Sequence, residues 1–147
     1  LGFNARTTEL QAALGLSQLG RLEVMQAQRE ALADRYDTLL AKLPLILPAR
    51  QADRRSAWHL YAVEIDEKRS AVRREAAFAA LRAAGIGVNV HYIPIHTQPF
   101  YRRLGFSAGD FPAAERYASR TLSLPLFPAL TEAQQDHVVD VLRTVLA

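Results

Sequence analysis

His91 and His96 stand five positions apart in "VNVHYIPIHTQPFY", residues 88–101, on either side of Tyr92 and Pro94. Two imidazoles so spaced could begin a zinc site. The set stays incomplete, because the chain has no cysteine and the nearest acid downstream is Asp110. No metal ligands are therefore expected. Histidine and tyrosine side chains both donate and accept hydrogen bonds, and nearby prolines lower the entropy lost in holding them. The segment thus suits contact with a polar ligand, with plain packing as the rival reading. His59, next to Trp58, reads as a packed core histidine, and His137 as a surface residue of the last helix.

Other chemistries find less support. There is no Gly-x-Ser-x-Gly elbow for a serine nucleophile. Gly85-Ile86-Gly87 precedes a hydrophobic run instead of following one, the wrong order for a dinucleotide turn. Taken alone, the residues complete no catalytic constellation.

The elements that must position this loop follow from periodicity. Residues 7–43 read as one helix, capped by Thr7 or Thr8 with Glu9 in the first turn. Leu22, Met25, Leu32, Tyr36, Leu39 and Leu43 form its apolar stripe. Leu10, Ala12, Ala13, Leu14, Leu16 and Leu19 instead surround the helix, with Gly15 and Gly20 among them. Each glycine costs a helix about 1 kcal/mol relative to alanine, so this end is expected to be buried on several sides, against another domain or subunit. Pro44 and Pro48 end the helix.

Further along, Trp58–Ile65 is expected as a central strand, apolar on both faces. A helix over 70–84 is stopped by Gly85. Ile86–Val90 and Leu122–Leu126 are expected as the second and third strands. Asp110 and Pro112 start a helix over 112–120. Thr131 and Gln134 form a capping box for the last helix, whose core face carries Val138, Val139, Leu142 and Leu146. Three strands with helices make an α/β (α+β, two-layer) unit. The connection from Tyr92 to Gly109 is long for a compact domain, and long ordered loops are often functional.

Composition bounds the rest. The chain has 147 residues, half of them hydrophobic, enough for one domain with a sizeable core. The net charge is +3 and lysine occurs only at Lys42 and Lys68. The basic cluster Lys68, Arg69, Arg73 and Arg74 is flanked by Asp66, Glu67 and Glu75, so it reads as a solvated helix start, and no nucleic-acid partner is expected. No apolar run reaches the roughly 18 residues of a membrane span. A cytoplasmic protein without disulfides is expected. The opening Leu1-Gly2-Phe3-Asn4 leads at once into a helix, the expected look of a piece of a longer protein.

Four stretches, in order along almost the whole chain, resemble the DegT family of sugar aminotransferases. "LGFNARTTELQAALG" resembles the family's Gly-aromatic-Asn-x-Arg-x-Thr/Ser-Glu motif. "AWHLYAVEI" resembles its His-Leu-Tyr strand, and "AAGIGVNVHYIPIHTQPFY" its His-Tyr-x-Pro-x-His-x-Gln-Pro loop. "FPAAERYASRTLSLPLFPALTEAQQDHVVDVL" resembles its Ser-Leu-Pro-Leu-Phe-Pro segment and closing helix. The loop looks closest to the branch that aminates UDP-linked 4-keto-6-deoxy-N-acetylhexosamines, as in pseudaminic acid synthesis.

The resemblance implies the small C-terminal domain of the type I fold of pyridoxal 5'-phosphate (PLP) enzymes. Residues 1–43 would be the linking-helix region and 44–147 the small domain, with the large domain absent. That large domain would carry the Schiff-base lysine, since neither Lys42 nor Lys68 matches the lysine motif. The chain would then hold no catalytic residue of its own, bind no PLP alone and be inactive alone. The parent enzyme, a homodimer, would move an amino group from glutamate to the keto carbon of a nucleotide sugar. Asn4 matches the asparagine that reaches the PLP phosphate of the other subunit. Arg6 matches the motif arginine and pairs either with a charged ligand group or with Glu9. His91, Tyr92 and His96 match the loop that lines the nucleotide-sugar site. Ala5 and Thr7 depart from the family's common tyrosine and methionine. The alternative is a free-standing ligand-binding or regulatory domain without catalysis.

Overall fold

A computed structural model describes residues 5–147. Six α-helices and three strands are assigned among them. In chain order they are α1 (Glu9–Leu19), α2 (Leu22–Leu40), β1 (Leu45–Ile46), β2 (Tyr61–Ile65), α3 (Arg74–Ala83), α4 (Pro99–Arg103), α5 (Pro112–Arg120), β3 (Thr121–Leu124) and α6 (Glu132–Leu146). A single 3-10 turn, Ile95–Thr97, precedes α4. The sheet is antiparallel throughout, in the order β1-β2-β3. This is the expected small α/β unit with its long preceding helix.

The expected single helix over 7–43 is two. Thr8 caps α1 with a full capping box to Gln11. The helix stops at Gly20, whose N–H bonds the Leu16 carbonyl while the Arg21 N–H bonds that of Gln18, and α2 begins after Arg21. Only the second half of the apolar stripe is covered. Leu32, Ala33, Tyr36 and Leu40 are buried, whereas Leu22 remains exposed. No residue of α1 is buried, and no neighbour within 4 Å would meet a Cβ on Gly15. The apolar surround expected to be covered is therefore uncovered within this chain.

β2 is the central strand, as its two-sided apolar pattern implies. Tyr61, Val63 and Ile65 point into the main core with Leu81, Leu122, Val139 and Leu142. The ring of Tyr36, on α2, lies 5.0 Å from that of Tyr61, which locks α2 to this face of the sheet. The phenol of Tyr61 is hydrogen-bonded to Asp37, and that of Tyr36 donates to the Pro125 carbonyl at 3.1 Å. Burial pushes both phenols well above their ordinary pKa. The other face of β2, Ala62 and Glu64, is half-buried and bordered by Tyr117 of α5. α6 begins on its expected capping box, Thr131 with Gln134.

Two strand expectations shift. Ile86–Val90 is not a ladder strand. It keeps one antiparallel bridge, Asn89 to Ser123. The Asn89 side chain takes the Val90 N–H at 2.8 Å, and Val88 N–H turns back to Ile86 O at 3.1 Å. Local bonds of this kind satisfy donors that a ladder would otherwise use. The third strand is instead β1, which lies between Pro44 and Pro48. Leu45 pairs with Ile65 and Ile46 with Glu64. His59 is exposed, not a core histidine, because the chain enters the sheet only at Tyr61. Trp58 takes the buried position beside it, 5.8 Å from Tyr61. No described helix is long and apolar enough to cross a membrane.

Candidate ligand groove between the His91 loop and helix α5

The segment after Val90 leaves the sheet and folds against α5. His91 stays tied to the sheet through β3. Its Nδ1 is 2.8 Å from Oγ of Ser123, a buried residue of β3. The backbone exchange between Asn89 and Ser123, at 2.8 and 3.3 Å, puts the ring there. The Tyr92 ring stands edge-on to it at 4.6 Å, across a cis His91–Tyr92 peptide. Tyr92 itself projects outward, 71% exposed.

His96 is placed differently. The 3-10 turn is closed by Thr97 and Gln98 N–H groups bonding Pro94 O and Ile95 O. That turn carries the His96 ring inward until it is only 7% exposed. Nε2 of His96 lies 2.7 Å from Oε1 of Glu115, in the first turn of α5. The same carboxylate oxygen accepts the Gly109 N–H at 2.7 Å. That backbone donor and the His96 ring, in this order, hold the Glu115 carboxyl below the usual carboxylate range. The Phe111 ring completes the packing, 4.8 Å from His96.

Beside this network lies an open groove of about 510 Å³, walled by Tyr92, Ile93, Ile95, His96, Phe106 and Phe111 among others. The groove is mostly apolar, with a buried imidazole on its wall. Such a surface packs against the flat part of a ligand and offers one directional polar contact. Among the described residues, no group of three His, Asp or Glu converges as a metal site would require.

The motif residues do not all meet. Tyr92 and His96 line the groove, and His91 touches it through Tyr92. Arg6 lies ahead of α1, exposed, and is not among the groove-lining residues. Asn4 lies outside the described residues. Two residues to which the motif reading gave no site role matter here: Ser123, the first residue of the "SLPLFP" stretch, and Glu115, which hold the two rings. Glu115 stands only three positions after Pro112, a helix-start signal, so an acid in a first helical turn was visible there. Nothing in the sequence tied it to a histidine 19 positions away.

A family model describing the DegT/DnrJ/EryC1/StrS aminotransferase family matches residues 1–143. The chain belongs to this family. A curated relative, spore coat polysaccharide biosynthesis protein SpsC of Bacillus subtilis (strain 168), is 43% identical over 99% of the chain and 38% of its own length. Among solved structures, DesV of S. venezuelae, in complex with a ketimine intermediate, is 36% identical with a TM-score of 0.87, over 97% of this chain and 38% of that one. Helicobacter pylori PseC, involved in the biosynthesis of pseudoaminic acid, is 27% identical with a TM-score of 0.87, over 99% and 39%. The chain thus spans under two-fifths of the length of these relatives. Likeness to the DegT family extends across several branches and does not single out the pseudaminic acid branch expected from the loop. It places the chain within a PLP-binding fold class.

The described residues do not by themselves fit PLP. Lys42, just past the end of α2, and Lys68, in a turn with its N–H on Asp66 Oδ1 at 3.1 Å, are both exposed, and neither lines the groove. No step through the cofactor is derived from them.

Proposed function

We propose that this chain is the small-domain part of a PLP-dependent aminotransferase that moves an amino group from glutamate to the keto carbon of a 4-keto-6-deoxy nucleotide sugar. Residues 1–43 form its linking-helix region and 44–147 its small domain, in a cytoplasmic homodimer. The lysine that engages PLP belongs to a large domain. When bound, PLP supplies the electron sink for amino transfer. Asn4 supplies an amide donor to the cofactor phosphate, ahead of a helix N-terminus whose free N–H groups also favour anions.

The residues of this chain bind and orient the substrate. Tyr92, with the apolar groove wall, takes the flat portion of the nucleotide sugar. His91 and His96 hold polar groups of the sugar or its phosphates, and Arg6 pairs with a charged ligand group. The observation that carries this reading is the double anchoring of the motif histidines, His91 on Ser123 and His96 on Glu115. Side chains held this way arrive at a ligand with little rotamer entropy left to lose.

The experiment is amino transfer by the protein that carries this chain. It is supplied with PLP, glutamate and UDP- or dTDP-linked 4-keto-6-deoxy sugars, and the aminated nucleotide sugar is read by mass spectrometry. An aminated product, with its appearance impaired in His96→Ala and Tyr92→Ala, is expected. Nucleotide-sugar binding with no amination under any donor would overturn the transferase reading and favour a binding domain.

A further inference from the structure

The groove wall rests on an acid to which the sequence motifs give no role. Glu115 reaches from the first turn of α5 to two partners at once, Nε2 of His96 and the N–H of Gly109, each 2.7 Å from Oε1. An ionised carboxylate can only accept hydrogen bonds, so the ring nitrogen facing it must carry the proton. His96 is therefore protonated at Nε2, and Nδ1 is the nitrogen left for a ligand. Among the described residues Nδ1 makes no hydrogen bond. The remaining titratable side chains on the groove wall are Tyr92 and Tyr101, so among the described residues Glu115 is the one acid bonded to the ring. A ring that carries its proton at Nε2 leaves Nδ1 as an acceptor for a ligand hydroxyl or N–H.

We infer that Glu115 is a positioning residue for the groove, acting through His96. It sets Nε2 as the proton-bearing nitrogen and leaves Nδ1 to accept a hydrogen bond from the nucleotide sugar. The last clause rests on the nucleotide-sugar reading above. The competing role is a mechanical one, in which Glu115 only ties α5 to the loops at 96 and 109.

Glu115→Gln separates the two. An amide oxygen can still accept from both N–H groups, so the tie survives while the charge is lost. The experiment uses the protein that carries this chain, with ring-15N histidine, and UDP as the probe. NMR reads the His96 ring state near neutral pH, its signals assigned by their loss in His96→Gln, and calorimetry reads the UDP affinity. In the wild type a proton on Nε2 is expected. In Glu115→Gln the neutral amide oxygen holds the Nε2 proton less strongly, so the Nδ1-protonated tautomer should gain population and UDP should bind about fivefold more weakly, the size of one neutral hydrogen bond. Glu115→Ala should also scatter the ring between tautomers. A wild-type ring protonated only at Nδ1 would overturn the inference. So would a Glu115→Gln protein whose ring state and UDP affinity match the wild type. If the wild type fails to bind UDP, the nucleotide-sugar reading falls, and the positioning role then stands or falls on the ring spectrum alone.

Discussion

Nδ1 of His91 sits 2.8 Å from the hydroxyl of Ser123, so the first histidine of the loop is held by the edge strand β3, which the segment before the loop bridges through Asn89. Ser123 is 4% exposed, and its backbone also pairs with Asn89. Ser123→Ala removes the hydroxyl and leaves the backbone bridge. A neutral hydrogen bond contributes about 1 kcal/mol, so affinity for UDP in the protein carrying this chain should fall roughly fivefold. Calorimetric titration checks this. Unchanged affinity would mean that His91 is oriented by the Tyr92 ring or by the backbone alone.

The two capping boxes should differ in consequence although they share a geometry. Thr131 bonds Gln134 N–H at 3.2 Å and Thr8 bonds Gln11 N–H at 3.3 Å. α6 buries five residues and α1 buries none. Losing a cap costs about 1 kcal/mol of helix stability, but only a helix coupled to the core passes that loss to the whole fold. Thr131→Ala should lower the thermal midpoint of the isolated chain by about 3 °C. Thr8→Ala should leave it unchanged while increasing amide exchange within α1. Equal shifts in both variants, by calorimetry, would show that α1 packs on the core in solution.

Acid stability should register Glu115. Its carboxyl pKa is depressed in the folded chain, first by the Gly109 N–H and then by His96. The sign follows from linkage: a depressed carboxylate adds stability that is fully present above its unfolded value near about 4.3 and is lost as pH falls through the lower folded value. Denaturant melts between neutral pH and the acid range should therefore show a steeper loss below that point in the wild type than in Glu115→Gln. Parallel curves would mean that the carboxylate gains nothing on folding.

The exposed face of α1 should govern how the isolated chain behaves in solution. Leu10, Leu14, Leu16 and Leu19 are each more than 60% exposed. Unpaired apolar surface of this size promotes association. The chain should bind an apolar dye and self-associate in sedimentation. Leu10→Glu with Leu14→Glu should reduce both without lowering the thermal midpoint, since neither side chain is buried. A monomer with little dye binding would count against this expectation.

The polar network around β2 should be sensitive out of proportion to its size. The Tyr61 phenol bonds Asp37, which also pairs with Arg50, whose guanidinium stacks 4.5 Å over Trp58. Tyr61→Phe leaves a part-buried carboxylate with one partner fewer. A loss of about 1–2 kcal/mol is expected by urea melting. A neutral result would show that water replaces the phenol at Asp37.

Local chemistry was legible along the chain. The two-sided apolar residues of Tyr61–Ile65, the capping residues Thr8 and Thr131, and the Gly85 stop (φ 77°) act within a few residues of themselves, and they form the elements they imply. The motif stretches carried the family for the same reason: they are contiguous. Where the reading failed, a longer-range or competing bond won. Ile86–Val90 has strand composition, but the Asn89 side chain diverts a donor from the ladder. β1 is two residues between prolines and exists only because Ile65 and Glu64 lie beside it. The break at Gly20 separates α1 from α2, which a continuous apolar pattern concealed.

The candidate site divides along the same line. His91, Tyr92 and His96 are determined as polar loop residues by sequence alone, because their types and the prolines among them are local facts. Which nitrogen of each histidine is occupied is not a local fact. It depends on Ser123, 32 positions on, and Glu115, 19 positions on, brought up by the pairing of β3 and the packing of α5. Only the tertiary structure decides it, because a hydrogen bond selects a ring nitrogen by distance in space, and separation along the chain says nothing of that distance.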